Sequence, residues 1–197
     1  MAISTTYYGS VDEANTYFGS RLHADAWTNA LASDYPKALL QATQIIDTLN
    51  YKGHKNAVYL LLQQYPYKSE LTAFDPFVEF TVQPPTLYPG GPTFDQLRAA
   101  EASQPLEFPR GSDTEVPDAI RMACYEIAFS LLDGKDPEME LENLAVVSQG
   151  YSSVRTTYSR TQVPQEHLIN GVPSAAAWRL LRPFLRDGDA LKLKRVS

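Results

Sequence analysis

The side chains that most often carry chemistry in proteins are few in this sequence. The chain has three histidines, His23, His54 and His167, and a single cysteine, Cys124. The histidines are far apart, and none has a second histidine or a cysteine at the spacing of a metal-ligand pair. Cys124 falls on the apolar side of a predicted helix, where a thiol serves as a small packing residue. We therefore expect neither a metal site nor a reactive thiol.

The motifs of common catalytic sites are also missing from the sequence. There is no Gly-rich phosphate loop, no His-Glu-x-x-His, no Cys-x-x-Cys, and no serine in a nucleophile-elbow context. Glu138 and Glu140 are close together, but they lie in a polar stretch and are interpreted as solvated charges. The sequence thus indicates a protein that is not an enzyme and predicts no cofactor.

The charge and composition narrow the class of protein further. A formal net charge of −6 over 197 residues argues against a chain that coats nucleic acid by neutralising phosphates, although it leaves room for a local basic patch. Hydrophobic content of 44% and charged content of 20% are typical of a soluble globular chain. No apolar run approaches the roughly 20 residues that span a bilayer, and the first residues lack the features of a signal peptide.

The element that would position most other residues is a predicted helix within 116–132, which Gly134 ends in a left-handed conformation. One apolar stripe along it consists of Ile120, Ala123, Cys124, Ile127, Ala128 and Leu131. A second stripe, on nearly the opposite side, consists of Met122, Tyr125, Phe129 and Leu132. The residues left to face water are Asp118, Arg121, Glu126, Ser130 and Asp133. A helix that is apolar on two sides is buried by its own domain, by a neighbouring subunit, or by both.

Helices are also predicted on either side of this segment. Ser10 and Glu13 form a capping-box pattern that begins a first helix, and Trp27 lies in a short helical piece. Asp34 is the expected cap of a helix that continues to about residue 50. A last helix follows residue 174, and Pro183 ends or kinks it. The run 58–62 is too short for its periodicity to separate helix from strand.

Between residues 58 and 92 the composition changes to many prolines and aromatics, which we interpret as an ordered inserted lobe with a strand at 77–82. A capping-box pattern from Thr93 to Gln96 then begins a short helix. After the central segment, a polar link is expected at 135–142, followed by strands at 144–148 and 153–158 around a turn at Gln149-Gly150.

The predicted fold class is therefore mainly α, a small helical bundle with a short β-hairpin and a Pro/aromatic-rich inserted lobe. We expect a single domain with a helical core at 8–56 and 104–185, an insertion at about 57–103, and a C-terminal arm at 186–197.

A series of short segments in a particular order is the most specific pattern in the chain. These segments are 8–18 followed by Arg21 and Trp27, 37–47, 51–53, 104–110, 116–128, 172–173 and 180–185. In order and spacing they resemble the head-completion adaptor (head–tail connector) proteins of tailed bacteriophages, a family often labelled DnaT-like. That family usually has only a short loop where this chain has the insertion, so the resemblance leaves the insertion without a role.

The resemblance implies a helical bundle without catalysis that belongs to the virion. Copies of such adaptors, typically twelve, form a ring on the portal protein of a filled capsid after assembly in the host cytoplasm. The ring extends the channel through which packaged DNA passes without sequence-specific binding, and it offers a face to the next neck or tail protein. Family adaptors often dock on the portal through a C-terminal arm, which here corresponds to about 186–197.

Two surfaces could serve such an assembly, and each has an alternative interpretation. The second stripe of the central helix, Met122, Tyr125, Phe129 and Leu132, either meets a neighbouring subunit or lines the core of its own domain. The alternating run at the C-terminus either adds a strand to an exposed sheet edge or is a solvated chain end. Its residues are Leu191, Lys192, Leu193, Lys194, Arg195 and Val196.

The alternative function is that of an accessory protein that binds single-stranded nucleic acid. Such a protein needs a basic groove with aromatic side chains on which bases stack. The insertion supplies aromatics, but Lys68 is the only cation between residues 57 and 92. The sequence therefore favours the adaptor over the nucleic-acid binder.

Overall fold

A computed structural model describes residues 6–65, 91–145, 148–151, 154–157 and 166–186 of the chain. This part is mainly helical, as the sequence predicts, and no helix in it is long and apolar enough to cross a membrane. The helices are α1 Val11–Gly19, α2 Asp25–Thr28, α3 Tyr35–Asp47, α4 Asn56–Gln64, α5 Phe94–Ser103, α6 Asp118–Leu132, α7 Pro137–Ala145, α8 Glu166–Ile169 and α9 Ala175–Leu181. A 3-10 turn, Arg182–Phe184, follows α9, and β1 Ser148–Tyr151 pairs antiparallel with β2 Val154–Thr157.

The chain divides into two compact units. One, which we call the central-helix unit, consists of Met1–Lys52 and Asp118–Ser197; the other, which we call the insertion unit, is Gly53–Pro117. The insertion unit is wider than the insertion expected at 57–103, because it also holds residues 104–117, which the sequence analysis assigned to the helical core.

The central-helix unit is organised around α6, which packs against α1, α2, α3 and α9. Most of the buried residues of α6 are apolar. The largest side chains enclosed in this unit are Tyr8, Phe18, Trp27, Leu39, Ile46, Ile120, Ile127 and Leu181. Phe18 stacks on Trp27 with ring centroids 4.8 Å apart, and Trp27 stacks on Tyr35 at 4.6 Å. Burial of this aromatic and aliphatic surface is the main stabilising term.

The α6 helix is more deeply buried than its sequence pattern indicates. Glu126 and Ser130 were expected to face water, but each is only 4% exposed. Ser130 Oγ donates to the Glu126 carbonyl oxygen at 3.0 Å, which satisfies the hydroxyl inside the helix. The prediction was wrong because helical periodicity shows which side is apolar but not how many neighbouring helices cover the remaining side.

The helix ends are capped partly as predicted. Thr93 and Gln96 form a complete capping box at the start of α5. Ser10 Oγ accepts from the Glu13 amide at 3.2 Å, whereas the Glu13 carboxylate accepts from the Tyr125 hydroxyl at 2.9 Å. Asp34 is the N-cap residue of α3 but makes no side-chain cap bond. Gly134 follows α6 at φ +76°, as its predicted role requires.

The region after α6 differs from the prediction in three places. Residues 137–145 form α7 rather than a polar link and the start of a strand, because glutamate, methionine and leucine favour a helix that Pro137 can begin. The expected turn at Gln149-Gly150 lies inside β1, where Gly150 pairs with Arg155 of β2. A four-residue helix, α8, lies between the predicted second strand and the predicted last helix, where no helix was expected.

The insertion unit is held together by α4, α5 and the segment 104–111. Residues 58–62 belong to α4, which settles their ambiguous pattern in favour of a helix. Gln104 ties the pieces together: its Oε1 accepts from the Ala57 amide at 3.2 Å, and its Nε2 donates to the Leu106 and Pro109 carbonyls at 3.0 and 2.8 Å. The predicted strand at 77–82 lies outside the described residues.

Candidate functional site

A buried carboxylate on α6 is the most unusual polar feature of the central-helix unit. Glu126 accepts a hydrogen bond from the Tyr17 hydroxyl at 2.6 Å and forms an ion pair with Arg21. The Arg21 guanidinium also lies over the Phe129 ring, 5.2 Å from its centroid. A buried charge requires such partners, because desolvation without them would cost several kcal/mol. Glu126 therefore ties the end of α1 and the loop after it to α6.

The electrostatics of this cluster fit a structural role. Burial, together with the hydrogen bond to Glu126, raises the pKa of Tyr17 to about 12. The hydrogen bond to Glu126 also raises the pKa of Arg21 above its already high usual value. Both groups therefore keep their protons across the neutral range, so neither is suited to transfer a proton in a reaction.

Beside this cluster, α1 and α6 border an open groove of about 380 Å³. Its lining residues are Glu13, Thr16, Tyr17, Asp118, Arg121, Met122 and Tyr125. Arg121 forms ion pairs with Asp118 and, at 3.4 Å, with Glu13. Burial raises the pKa of the Tyr125 hydroxyl, which donates to Glu13. Four of its polar residues, Glu13, Asp118, Arg121 and Tyr125, are engaged with one another, and Met122 supplies its exposed apolar surface.

The structure separates the four residues predicted to meet a neighbouring subunit. Met122 is 39% exposed, but Tyr125 is only 4% exposed, so Tyr125 is covered by its own unit and is not an exposed contact residue. Phe129 is half-buried and stacks on Phe18 with centroids 5.5 Å apart, and Leu132 is also half-buried. The predicted portal-docking residues 191–196 lie outside the described residues.

A second group of charges lies in the insertion unit around Glu107. Its carboxylate forms ion pairs with Lys55, at 3.2 Å, and with Arg110. Arg110 also donates to the Gly53 carbonyl at 2.6 Å, and Lys55 donates to the Gln104 carbonyl at 3.2 Å. These groups border a cavity of about 160 Å³. Each cation is fixed by a carboxylate and a backbone oxygen, so the cluster joins 53–55 to 104–110.

The three histidines and the cysteine differ in their exposure to solvent. His23 and His54 are exposed, whereas His167 is buried on α8, where burial lowers its pKa. Cys124 is fully buried, and burial raises the pKa of its thiol to about 12. Across the described part of the chain, no three metal-ligating side chains lie together.

Sequence reasoning missed a group of exposed arginines at the end of the last helix. Arg179, Arg182 and Arg186 recur at spacings of three and four, and all three are exposed. Lys52 is also exposed, and its Nζ lies 3.5 Å from the Pro183 carbonyl oxygen. The spacing of Arg179 and Arg182 was a signal in the sequence, because residues three apart share one side of a helix. Arg186 follows the 3-10 turn and is not helical. We call the three arginines, Arg179, Arg182 and Arg186, the basic stripe.

Comparison with known proteins does not identify a family for this chain. No family model matches the chain, and neither the curated proteins nor the solved structures give a significant match. The functional argument therefore depends on the sequence segments and on the geometry of the described residues.

Proposed function

We propose that this chain is a structural virion protein, the adaptor ring of a tailed-phage neck. In this role copies of the chain assemble in the host cytoplasm on the portal protein at the vertex of a filled capsid. The number of copies is twelve, as is typical of the adaptor family that the sequence resembles. The ring extends the DNA channel, holds no cofactor and performs no catalysis. Its far side receives the next neck or tail protein.

The observation that carries this proposal is that the residues of the resemblance serve as scaffold. In the central-helix unit, Tyr8 donates its hydroxyl to Asp47 at 2.5 Å, and its amide donates to Thr43 Oγ1 at 3.1 Å. Arg21 pairs with the buried Glu126, and Trp27 is buried against Phe18. Segments from distant parts of the sequence therefore meet in one helical core, which supports a shared architecture rather than a shared reaction centre.

The same holds for the segments that fall in the insertion unit. Gln104 and Arg110, both part of the resemblance, use their side chains to hold backbone carbonyls and the Ala57 amide. Pro109 accepts from the Asn56 amide at 3.0 Å. These contacts fix the path of the backbone, which is a structural role.

The second stripe of α6 contributes little to the proposed ring contact. Since Tyr125 is covered by its own unit, only Met122 of the four predicted residues presents a substantially exposed side chain. The surface that joins neighbouring copies must therefore lie largely elsewhere on the chain.

A portal-binding experiment tests the proposal. The full chain and a version that ends at Leu185 would be incubated with purified portal rings and separated from them by sedimentation. We expect the full chain to cosediment and the shortened chain to remain in the supernatant with an unchanged helical circular-dichroism spectrum. A matched control keeps the length and charge but carries Leu191→Ser and Leu193→Ser, and it separates apolar from electrostatic docking.

Two outcomes would contradict the proposal or part of it. Normal docking of the shortened chain would show that the C-terminal arm is not the portal contact. Failure of the full chain to bind portal rings, combined with salt-dependent binding to a single-stranded oligonucleotide, would replace the adaptor by the nucleic-acid binder.

A further inference from the structure

The basic stripe places three exposed positive charges on a chain whose net charge is −6. Its three arginines lie on α9, on the 3-10 turn and just after it, where Arg186 is held by a bond from its amide to the Asn50 carbonyl at 2.9 Å. Within the described residues, none of the three arginines has a carboxylate within ion-pairing distance. An exposed cluster of one sign attracts an anionic partner.

The same unit also carries a surface of the opposite sign. Residues 133–142 contain Asp133, Asp136, Glu138, Glu140 and Glu142 against a single cation, Lys135. All of these carboxylates except the half-buried Glu140 are exposed. Met139, in the middle of this group, is 61% exposed. We call residues 133–142 the acidic segment; it combines negative charge with an apolar side chain, as interface patches often do.

The two surfaces do not neutralise each other within one copy. Among the described residues, the one ion pair of the acidic segment joins Lys135 to Asp133 at 3.4 Å, and none reaches the basic stripe. Each surface therefore keeps its charge available for another molecule.

We infer that neighbouring copies contact each other through these two surfaces, the basic stripe of one copy against the acidic segment of the next. Because the two surfaces are different, the contact is head-to-tail, and a head-to-tail contact generates a ring when its rotation closes. This inference rests on the proposed adaptor function and names a subunit contact outside the second stripe of α6, in which only Met122 is substantially exposed. Complementary charge also steers copies together and sets their orientation.

A second copy fits the basic stripe better than nucleic acid does. The stripe has only three cations, and the aromatic side chains beside it, Trp178 and Phe184, are buried and half-buried rather than presented as stacking platforms. The negative charge of the acidic segment would repel a phosphate backbone. The same negative charge complements the positive charge of the basic stripe on another copy.

A charge-swap experiment tests the contact without the portal. One variant carries Arg179→Glu with Arg182→Glu, and the other carries Glu138→Lys with Glu142→Lys; all four positions are exposed. Self-association would be measured by sedimentation velocity at low salt and up to about 1 mM protein, where even weak contacts are populated. We expect wild-type chains to associate, each variant alone to associate about tenfold or more weakly, and an equal mixture of the two variants to recover association.

Arg98→Glu and Glu115→Lys reverse exposed charges in the insertion unit and should leave association unchanged. Absence of association by the wild-type chain, or equal weakening by the controls, would overturn the inference. It would also be overturned if the reversed-arginine variant lost oligonucleotide binding while its self-association was normal. If each variant alone still formed complete rings on the portal, the proposed contact between basic stripe and acidic segment would be wrong, and the proposed adaptor function would be retained.

Discussion

The two units of this chain are stabilised by different means. The central-helix unit encloses Trp27, Phe18, Tyr8 and a row of aliphatic residues around α6. In the described part of the insertion unit, neither α4 nor α5 has a buried residue, and the buried side chains are Phe108 and Pro92. What holds that part together is a set of polar contacts at Gln104 and Glu107.

This difference suggests a division of roles within one chain. Apolar burial is worth about 1.5–3 kcal/mol for each large side chain, whereas a hydrogen bond contributes about 0.5–1.5 kcal/mol net. The central-helix unit should therefore be the stable body, and the described part of the insertion unit should open at lower cost. Both tryptophans, Trp27 and Trp178, lie in the central-helix unit, so tryptophan fluorescence reports on that unit alone.

The largest expected effect comes from removing an aromatic side chain from the central-helix unit. Phe18→Ala should lower the free energy of unfolding by roughly 3–5 kcal/mol, because Phe18 packs between Trp27 and Phe129 and leaves a cavity. Urea denaturation followed by tryptophan fluorescence measures the loss. The matched change Phe94→Ala, at a side chain 46% exposed in the insertion unit, should alter that transition by less than about 0.5 kcal/mol. Similar losses of unfolding free energy for both variants would contradict the proposed difference in how the two units are stabilised.

The next effect concerns the buried carboxylate. Glu126→Gln keeps the shape of the side chain but leaves Arg21 without its anionic partner. It should lower the free energy of unfolding by roughly 2 kcal/mol. This loss is smaller than that expected for a fully buried pair, because Arg21 is 35% exposed. The matched change Asp118→Asn removes an ion-pair partner that is 73% exposed and should cost at most about 0.5 kcal/mol. Urea denaturation followed by tryptophan fluorescence measures the loss of unfolding free energy for both variants. Equal losses would show that Glu126 does not hold α1 and the following loop against α6.

A smaller effect should be confined to the insertion unit. Gln104→Ala leaves the Ala57 amide and the Pro109 carbonyl without their side-chain partner, which should cost roughly 1–3 kcal/mol locally. Hydrogen exchange at the Ala57 amide should accelerate, while the tryptophan transition should not move. Gln63→Ala, at an exposed position on α4, is the control. Movement of the tryptophan transition would mean that the two units unfold together.

The smallest effect is a pH dependence of the central-helix unit. Burial lowers the pKa of His167 in the folded state, so folding favours the neutral imidazole. The stability linked to this group is present above the unfolded-state pKa of about 6.5 and is lost as the pH falls below it. His167→Gln should reduce the loss of stability between pH 7.5 and pH 5, measured by urea denaturation at each pH. An unchanged pH profile would show that groups other than His167 cause the loss of stability at low pH.

The sequence predicts the helices whose signals are local. Periodicity and capping residues located α1, α3, α6 and α9, and the fully buried Cys124 lies on the predicted apolar stripe. The burial of Glu126 could not be predicted in this way, because its partners Arg21 and Tyr17 are 105 and 109 residues away in the sequence. The sequence left open whether Tyr125 meets a neighbour or lines the core for the same reason, since its partner Glu13 on α1 comes from a distant part of the chain.

The α7 helix and the basic stripe were missed for different reasons. Alternation in the run 144–148 favoured a strand, but the preceding glutamate-rich residues extend a helix through Ala145. The arginines of the stripe were assigned to a closing helix and to an arm, so their common spacing was divided between two predicted elements. Whether they share an exposed surface depends on how α9 continues into its 3-10 turn, which the sequence pattern alone does not specify.

The most direct test of the central claim is an image of the neck of the virus particle at a resolution that counts subunits. We expect copies of this chain to form a closed ring on the portal, with basic stripe and acidic segment in contact between neighbours and the C-terminal arm against the portal. A portal vertex in complete particles without this chain, or with single copies that do not touch each other, would contradict the adaptor ring.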